Sequence, residues 1–334
     1  MLEKPDISDA AIIDCLRAAY TIDAADLRFL PLGADRSTAV YRAETRWFVK
    51  LRRGEFDVNS VIVPHLLHGQ GMTQVIAPVK SAAGDLWTPL GDFKLILFPF
   101  VEGHGGWDAD LSAPQWVEFG RALKRLHTAH FPPDLLQTLP QEDYSPRWRE
   151  RTHEFQALAA AGGYRDAIAA DLARFLVSKR PEIDALIAHA ERLASVVQAR
   201  ALPSIVCHAD IHVGNLLHTP DSLYIVDWDT LTFAPKERDL MFVGGGLGGG
   251  AFPPEEEIRL FYQGYGQTEI DADALAYYRC ERIVQDIVAY CEAILLAEGD
   301  SADRSAGVRQ LKSQFEPGNV VEIALASTTS PPRP

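Results

Sequence analysis

The chain has 334 residues, 47% of them hydrophobic and 23% charged, which is typical of globular proteins and excludes disordered, collagen-like and coiled-coil classes. It carries 32 Lys and Arg against 46 Asp and Glu, a net charge of −14 that disfavours nucleic-acid partners because phosphate contacts need clustered cations. No apolar run approaches the roughly 18 residues of a membrane helix, so no membrane partner is predicted. An acidic chain attracts cationic small molecules, although solubility alone also explains such a charge.

The cysteines and the N-terminal residues predict a reducing compartment. Cys15, Cys207, Cys280 and Cys291 form no C-x-x-C pair, so neither a zinc site nor a thioredoxin-like motif is indicated. We expect four packed thiols in a reducing cytosol. The first residues lack the basic start and long apolar stretch of a secretory signal, and a cytoplasmic protein is therefore predicted.

The N-terminal third is predicted to be mostly sheet. A first helix covers about residues 9–20, and a second covers about 59–69. Short runs with alternating apolar residues and polar turns between them are typical of an antiparallel meander. The expected strands cover residues 27–32, 39–43, 47–51, 75–79, 85–89 and 93–100.

The remainder is predicted to be mostly helical. Two short strands, near 204–208 and 223–228, interrupt it. The expected helices cover residues 114–130, 146–160, 167–197, 254–265 and 272–296. The change from predicted strands to predicted helices indicates an α+β fold of two lobes. The N-terminal lobe, residues 1–102, is an antiparallel sheet with a helix, and the C-terminal lobe, residues 103–326, is mainly helical. Residues 327–334 are expected to form a flexible tail.

The segment CHADIHVGNLLHTPDSLYIVDWD is the densest polar stretch in an apolar setting. His208, Asp210 and Asn215 follow the pattern H-x-D-x4-N, and Asp227 comes seventeen residues after Asp210. In phosphoryl transfer from ATP a carboxylate orients the attacking hydroxyl, while Asn and Asp oxygens hold Mg²⁺ against the phosphates. A lysine also neutralises phosphate charge, and Lys50 at the end of the third predicted strand suits that role.

Two other patterns are weaker. Residues 244–249 spell G-x-G-x-x-G, but a Pro-Pro pair follows where a dinucleotide site needs a helix, so we expect a flexible loop. His208, His212 and His218 lie close together and allow a zinc site. The oxygen donors in the same segment suit magnesium better, and no zinc is predicted.

The motifs resemble the aminoglycoside phosphotransferase family, which has a protein-kinase-like fold. The shared pattern is the H-x-D-x4-N segment, the later Asp227 and the upstream strand lysine. Other segments, which together span most of the chain, resemble the spectinomycin branch of that family: LGADRSTAVYRA, FVKL, SPRWRE, CHADIHVGNLL, APKERDLMFVGGG, YYRCERIVQDI and NVVEIA.

The resemblance implies a role for each matching position. Asp210 would be the catalytic base or hydroxyl-orienting carboxylate, and Asn215 and Asp227 would bind Mg²⁺. Lys50 would contact the nucleotide phosphates, which the loop at residues 33–38 would cover. The further nucleotide contacts implied, from that loop and from the hinge to the adenine, are Asp35, Ser37, Pro99, Phe100 and Val101.

The resemblance also implies supporting and substrate-binding residues. His208 and Asp239 would brace the catalytic loop. In the spectinomycin branch a glutamate near position 58 pairs with the strand lysine; this chain has Val58, so Asp57 or Glu55 must replace it, and we favour Asp57. Acids of the helical lobe hold substrate ammonium groups in aminoglycoside kinases, and the candidates here are Asp229, Glu281 and Asp286.

The function implied is that of an O-phosphotransferase using ATP, or GTP, with Mg²⁺. Its expected acceptor is a small cationic aminocyclitol, with the 9-hydroxyl of spectinomycin as the site of transfer and antibiotic resistance as the result. One alternative is a related kinase for another amino sugar, amino alcohol or homoserine-like metabolite. A second is a catalytically dead nucleotide-binding module. The oligomeric state is left open.

Overall fold

The chain forms two units, each assembled from several segments. A computed structural model describes residues 4–32, 37–246, 251–297 and 302–327. One unit, here called the sheet unit, contains Met1–Ala109, Thr128–Leu139 and Gly214–Leu231. The other, the helical unit, contains Asp110–His127, Pro140–Val213 and Thr232–Pro334. The sequence-based boundary after residue 102 and the tail at 327–334 stay predictions, and residues 328–334 lie outside the described ranges.

The secondary structure is numbered in chain order. The helices are α1 Asp9–Tyr20, α2 Asn59–Gly69, α3 Ala113–His127, α4 Pro133–Thr138, α5 Arg147–Ala161, α6 Ala167–Ser178, α7 Arg180–Arg200, α8 Glu237–Leu240, α9 Pro254–Tyr265, α10 Ala272–Leu295, α11 Ala302–Ser313 and α12 Val320–Ser327. The strands are β1 Leu27–Leu30, β2 Thr38–Ala43, β3 Trp47–Arg53, β4 Thr88–Leu90, β5 Phe93–Pro99, β6 His104–Gly105, β7 Ser204–Cys207, β8 Leu216–His218, β9 Leu223–Ile225 and β10 Thr232–Pro235. Among the described residues, no helix combines the length and apolar character needed to cross a bilayer.

The first five strands form an antiparallel sheet in the order β1-β2-β3-β5-β4, which confirms the predicted meander. Val49 and Leu51 of β3 belong to one buried cluster with Ile12 and Leu16 of α1. Side chains alternate between the two faces of a strand, so Lys50 points to the face opposite that core. The apolar pattern of β3 therefore determines on which face of the sheet the Lys50 side chain lies.

One predicted strand of the sheet unit does not form. Instead of a strand at 75–79, Val75 makes an isolated bridge with Ile225, and the Val79 N–H donates a single hydrogen bond to β5. Pro78 explains the difference, because it has no N–H to donate to a ladder and restricts the residue before it. The next strand is also shorter than expected, since β4 begins at Thr88.

The helical unit is built around α10, and the predicted helical content is confirmed. This helix has buried residues on all sides and packs against α5, α7 and α12. Apolar residues all round a helix are typical of a central position. The single helix predicted at 167–197 is two helices, because Pro181 stands in the first turn of α7 and cannot continue α6.

Helices α3 and α9 pack with their backbones almost in contact. A Cβ atom added to Gly120 would lie 2.1 Å from the Phe261 carbonyl oxygen, and one added to Gly264 would lie 1.8 Å from that of Val117. Such distances are far inside van der Waals contact. Glycine at these two positions therefore determines how closely the helices approach.

We predict that Gly264→Ala lowers the free energy of unfolding by about 1–3 kcal/mol, the usual cost of overpacking. The matched control is Gly69→Ala at the end of α2, where an added Cβ meets no atom within 4 Å. Alanine has a helix propensity about 1 kcal/mol better than glycine, so the control should not lose stability. Chemical denaturation measures both variants, and equal stabilities would contradict the close packing of α3 and α9.

Candidate active site

Lys50 lies between two carboxylates in the sheet unit. Its Nζ is 3.1 Å from Asp227 Oδ1 and 2.8 Å from Asp229 Oδ2. Burial disfavours the ammonium ion, but the attraction of both aspartates outweighs it and raises the pKa of Lys50. The structure thus brings together three of the predicted site residues and keeps the lysine charged.

Asp229 also pairs with a second cation. Arg52, two residues after Lys50 on β3, places Nη1 3.0 Å from Asp229 Oδ2 and also donates to Thr38 Oγ1. Asp229 was expected to hold a substrate ammonium group. In the structure its carboxylate pairs with two cations of the same strand, and a contact with substrate stays a prediction.

The expected pair between Lys50 and Asp57 is not formed. Asp57 precedes α2, and its Oδ1 accepts the backbone N–H of Asn59 at 2.9 Å. Its carboxylate therefore helps to start the helix, which is where short polar acceptors satisfy free N–H groups. Asp229 takes the place that the sequence assigned to an acid near position 58, where Val58 is 41% exposed.

Asn215 and Asp227 lie at the same end of a small antiparallel ladder. Asn215 immediately precedes β8, Asp227 stands two residues after the end of β9, and Leu216 pairs with Ile225. The Val226 N–H donates to the Asn215 carbonyl at 3.0 Å, which ties the two segments together. Asp227 adopts a left-handed φ of 62°, a conformation that Asp tolerates better than most residues.

These two residues fit a magnesium site by the chemistry of their donors. A carboxylate and an amide supply hard oxygen ligands, which Mg²⁺ prefers. The Asp227 side chain is 53% exposed, so an ion bound there can keep water and phosphate ligands. Their role as metal ligands stays a prediction.

The predicted nucleotide loop and hinge are only partly described. Asp35 lies outside the described residues, whereas the Ser37 carbonyl accepts the Arg53 N–H at 2.8 Å. Pro99 ends β5 opposite Trp47, and the next N–H, that of Phe100, donates to Arg46 at 2.7 Å. The Phe100 N–H is thus already engaged, so an adenine contact would use other backbone groups of the segment that ends at Val101.

In the helical unit, Asp239 holds the H-x-D segment. Its Oδ2 accepts the His208 N–H at 3.0 Å and His127 Nε2 at 2.9 Å, while Oδ1 accepts the Ala209 N–H at 2.6 Å. Burial would raise the pKa of this fully buried acid, but the hydrogen bonds and charge of its neighbours lower it. An ionised Asp239 therefore holds the backbone before Asp210, and its bracing of a catalytic loop stays a prediction.

The His208 side chain adds to this bracing. It is fully buried, and its Nδ1 accepts the backbone N–H of Asp210 at 3.4 Å. Ala209 between them has a left-handed φ of 66°, which a non-glycine residue adopts only when its surroundings hold it there. His208 thus supports the loop through its ring.

A buried group of potential metal ligands lies beside this loop. Ligand atoms of His127, Cys207 and Asp239 are within 4.8 Å of one another. Hydrogen bonds account for the histidine and the aspartate, and burial raises the pKa of the Cys207 thiol well above its usual range. The Cys207 Sγ also lies 3.6 Å from the Ala234 and Pro235 carbonyl oxygens, to which it donates. All three side chains are therefore hydrogen-bonded within the packing around Asp239.

Asp210 is paired with an arginine that the sequence did not reveal. Arg282 Nη1 donates to Asp210 Oδ1, and Arg282 Nε donates to Asp286 Oδ1 at 2.9 Å. His212 Nε2 lies 3.6 Å from the same Asp210 oxygen. Gln314 Nε2 donates to the other oxygen of Asp286 at 3.1 Å. The predicted catalytic carboxylate is therefore part of an ion-pair network within the helical unit.

Comparison with known proteins identifies the family. The sequence profile of the phosphotransferase enzyme family (APH) matches residues 28–278, about three quarters of the chain. The chain belongs to the phosphotransferase enzyme family. The resemblance inferred from the H-x-D-x4-N motif is thereby confirmed, and the protein is a kinase-type phosphotransferase.

Individual relatives agree with the family. Spectinomycin phosphotransferase APH(9)-Ia, in complex with ADP and spectinomycin, is 34% identical with a TM-score of 0.89, over 98% of this chain and 100% of that one. Protein StrN of Streptomyces griseus is 30% identical over 228 residues, covering 64% of this chain and 67% of that protein. An amicoumacin kinase shares only the fold, at 16% identity and a TM-score of 0.60 over 92% of this chain and 93% of that one. The kinase-like fold is therefore confirmed.

In this phosphotransferase, the Glu281 side chain is buried inside the helical unit. The residue is 2% exposed on α10, and its Oε2 lies 3.7 Å from the buried Arg149 Nε. Burial raises the pKa of Glu281 to about 7. The expectation that Glu281 binds a substrate ammonium group is corrected, because the side chain faces the packed interior of the unit.

Two arginines of the phosphotransferase contact predicted site residues, and neither contact was predicted from the sequence. Arg52 stands two residues after Lys50, so the alternation of the strand puts both on one face. Arg282 stands four residues before Asp286, the helical spacing of a side-chain ion pair. Both spacings were visible, but neither indicates that the arginine reaches a predicted site residue.

We predict that Lys50→Met lowers kcat/KM for the nucleotide by about 10²-fold or more, because a charge aimed at the transferred phosphates is lost. Lys94→Met on the neighbouring strand is the matched control, since Lys94 Nζ donates to the Gly54 carbonyl. Steady-state kinetics with varied nucleotide measures both. An unchanged kcat/KM for Lys50→Met would contradict the assigned role of Lys50.

Proposed function

We propose that this phosphotransferase transfers the γ-phosphoryl group of ATP to a hydroxyl of an aminocyclitol, and that spectinomycin is its acceptor. The observation that carries the proposal is the full-length likeness to APH(9)-Ia, with a TM-score of 0.89 over 98% of the chain. Other phosphotransferases reach much lower values, such as 0.51 for APH(2'')-Ib and 0.60 for the amicoumacin kinase. The likeness thus favours the spectinomycin branch over the family in general.

The residues of the sheet unit supply the nucleotide side of the proposed reaction. Lys50 is held charged by Asp227 and Asp229, and it would contact the phosphates of ATP. Solved structures of APH(9)-Ia contain ADP and AMP, which supports the use of ATP. GTP is an alternative phosphoryl donor, and the product analysis described below compares it with ATP.

Asn215 and Asp227 would hold Mg²⁺ in the proposed reaction. The ion, when bound, neutralises charge that develops on the transferred phosphoryl group. With two protein ligands, its coordination would be completed by phosphate oxygens and water. We therefore expect metal binding to depend on the nucleotide.

Asp210 would orient the acceptor hydroxyl and receive its proton. Phosphoryl transfer through a loose transition state depends mostly on positioning and electrostatics, so the orientation of this carboxylate matters as much as its basicity. The buried hydrogen bonds of Asp239 fix the backbone that leads to it. Intact Lys50, Asp210, Asn215 and Asp227 also speak against a catalytically dead nucleotide-binding module.

The proposed acceptor agrees with the charge of the chain. Spectinomycin is a cationic aminocyclitol, and the net charge of −14 favours the encounter of cations with the protein. Following the family resemblance, we place the transfer at its 9-hydroxyl, with antibiotic resistance in the cytoplasm as the consequence. A kinase for another amino sugar, amino alcohol or homoserine-like metabolite would use the same machinery.

Product analysis tests the proposal. We expect the purified protein with ATP, Mg²⁺ and spectinomycin to give a phosphomonoester, which ³¹P and ¹H NMR would locate at the 9-position. A parallel incubation with EDTA should give none, and one with GTP compares the donors. Phosphorylation of another amino alcohol or amino sugar but not of spectinomycin would favour the alternative acceptor. No transfer to any acceptor would defeat the enzymatic function.

A further inference from the structure

Arg282 lies between two acidic side chains of the helical unit. Its Nη1 donates to Asp210 and its Nε donates to Asp286 at 2.9 Å. The three side chains are each about one-fifth exposed, so solvent screens these contacts only partly. The guanidinium therefore links the proposed catalytic carboxylate to a second acid one helical turn along α10.

The surroundings hold Arg282 in this position. Its guanidinium carbon lies 5.6 Å from the centre of the Phe242 ring, and that ring also packs edge-on against His212. Gln314 Nε2 donates to the Asp286 oxygen that Arg282 does not use. Asp286 is thereby engaged at both oxygens and keeps a fixed orientation toward Arg282.

The positive charge beside Asp210 comes from Arg282. Burial lowers the pKa of the guanidinium, but Asp286 and Asp210 raise it more, so the net shift is upward. His212, the other nearby base, has its pKa lowered by burial, and so it is mainly neutral at neutral pH. Loss of Arg282 would therefore remove a charged hydrogen bond from Asp210 Oδ1.

We propose that Arg282 is the positioning residue of Asp210 and that Asp286 acts through Arg282 rather than by contacting the substrate. The inference rests on the proposed function, in which Asp210 orients the acceptor hydroxyl. A charge-assisted hydrogen bond to Oδ1 fixes the plane of the Asp210 carboxylate. Asp286 in turn accepts a hydrogen bond from Arg282 Nε, which orients the guanidinium so that Nη1 is directed at Asp210.

Direct contact of Asp286 with a substrate cation is the competing interpretation. A substrate ammonium group would have to displace the bond from Arg282 at 2.9 Å or that from Gln314 at 3.1 Å. The two interpretations differ in kinetics. A substrate contact contributes to acceptor binding and hence to KM, whereas a positioning residue contributes to kcat.

The first test compares Arg282→Gln with Arg282→Lys. For Arg282→Gln we expect kcat to fall about 10-fold or more, while KM for the nucleotide stays within about twofold. KM for the acceptor should also change little, because the lost contact orients Asp210 and does not bind the substrate. The groups that face Asp210 in this network are His208, His212, Arg282 and, through Arg282, Asp286.

The conservative variant and a matched control complete this test. Arg282→Lys keeps a positive charge without the planar guanidinium, so it should restore part of the kcat that Arg282→Gln loses. Arg200→Gln is the control, because Arg200 also bridges two carboxylates, those of Asp271 and Asp273, without contacting Asp210. Its kcat and both KM values should match those of the wild type. A kcat of Arg282→Gln within about twofold of the wild type, or a loss confined to KM, would overturn the proposal.

The second test separates the roles of Asp286. Asp286→Ala should lower kcat with little change in the acceptor KM, and its effect should not add to that of Arg282→Gln, since both act through one contact. A raised acceptor KM with unchanged kcat, additive with Arg282→Gln, would identify Asp286 as a substrate contact. That outcome would overturn the proposal.

A stability measurement distinguishes failure of this inference from failure of the proposed function. Thermal unfolding of Arg282→Gln, Asp210→Asn and the double variant forms a cycle that needs no turnover. Non-additive shifts of the unfolding midpoint would support the pair even if no acceptor were phosphorylated, and Arg282→Lys replaces Arg282→Gln if the latter does not fold. Additive shifts would overturn the positioning of Asp210 by Arg282, whatever the acceptor.

Discussion

The buried carboxylate of Asp239 is the interaction on which the catalytic segment depends. An ionised group in the interior is costly unless hydrogen bonds compensate, and here donors from His208, Ala209 and His127 do so. They also hold Ala209 at a left-handed φ of 66°, which the residue would not adopt by itself. The direction in which Asp210 leaves the loop follows from this constraint.

Both units of the phosphotransferase use cations to hold carboxylates. In the sheet unit, Lys50 and Arg52 meet at Asp229. In the helical unit, Arg282 joins Asp210 to Asp286. Such partly buried networks give each charged group a partner and a fixed orientation. Catalysis of phosphoryl transfer depends on orientation and electrostatics, and these networks supply both.

The motifs and the alternation of strands predicted much of the fold and the presence of Lys50 and Asp227 in one site, but not their ion pair. Side-chain pairs that only the tertiary fold brings together could not be predicted from spacing. Lys50 and Asp229, for example, are 179 residues apart in the chain. The pairing of Lys50 with Asp57 was wrong because Asp57 instead accepts the Asn59 N–H at the start of α2. Glu281 was misplaced because α10 is apolar on all sides, so periodicity could not tell which of its acids is buried.

The most direct measurement for this account is the kinetics of Asp210→Asn beside its nucleotide affinity. The amide keeps the shape of the carboxylate but cannot take the proton of the acceptor hydroxyl. We expect kcat to fall at least about 10²-fold, the usual scale for a general base, with nucleotide binding by calorimetry unchanged. A loss below tenfold in the folded variant would contradict the assignment of Asp210 and, with it, the proposed chemistry of the site.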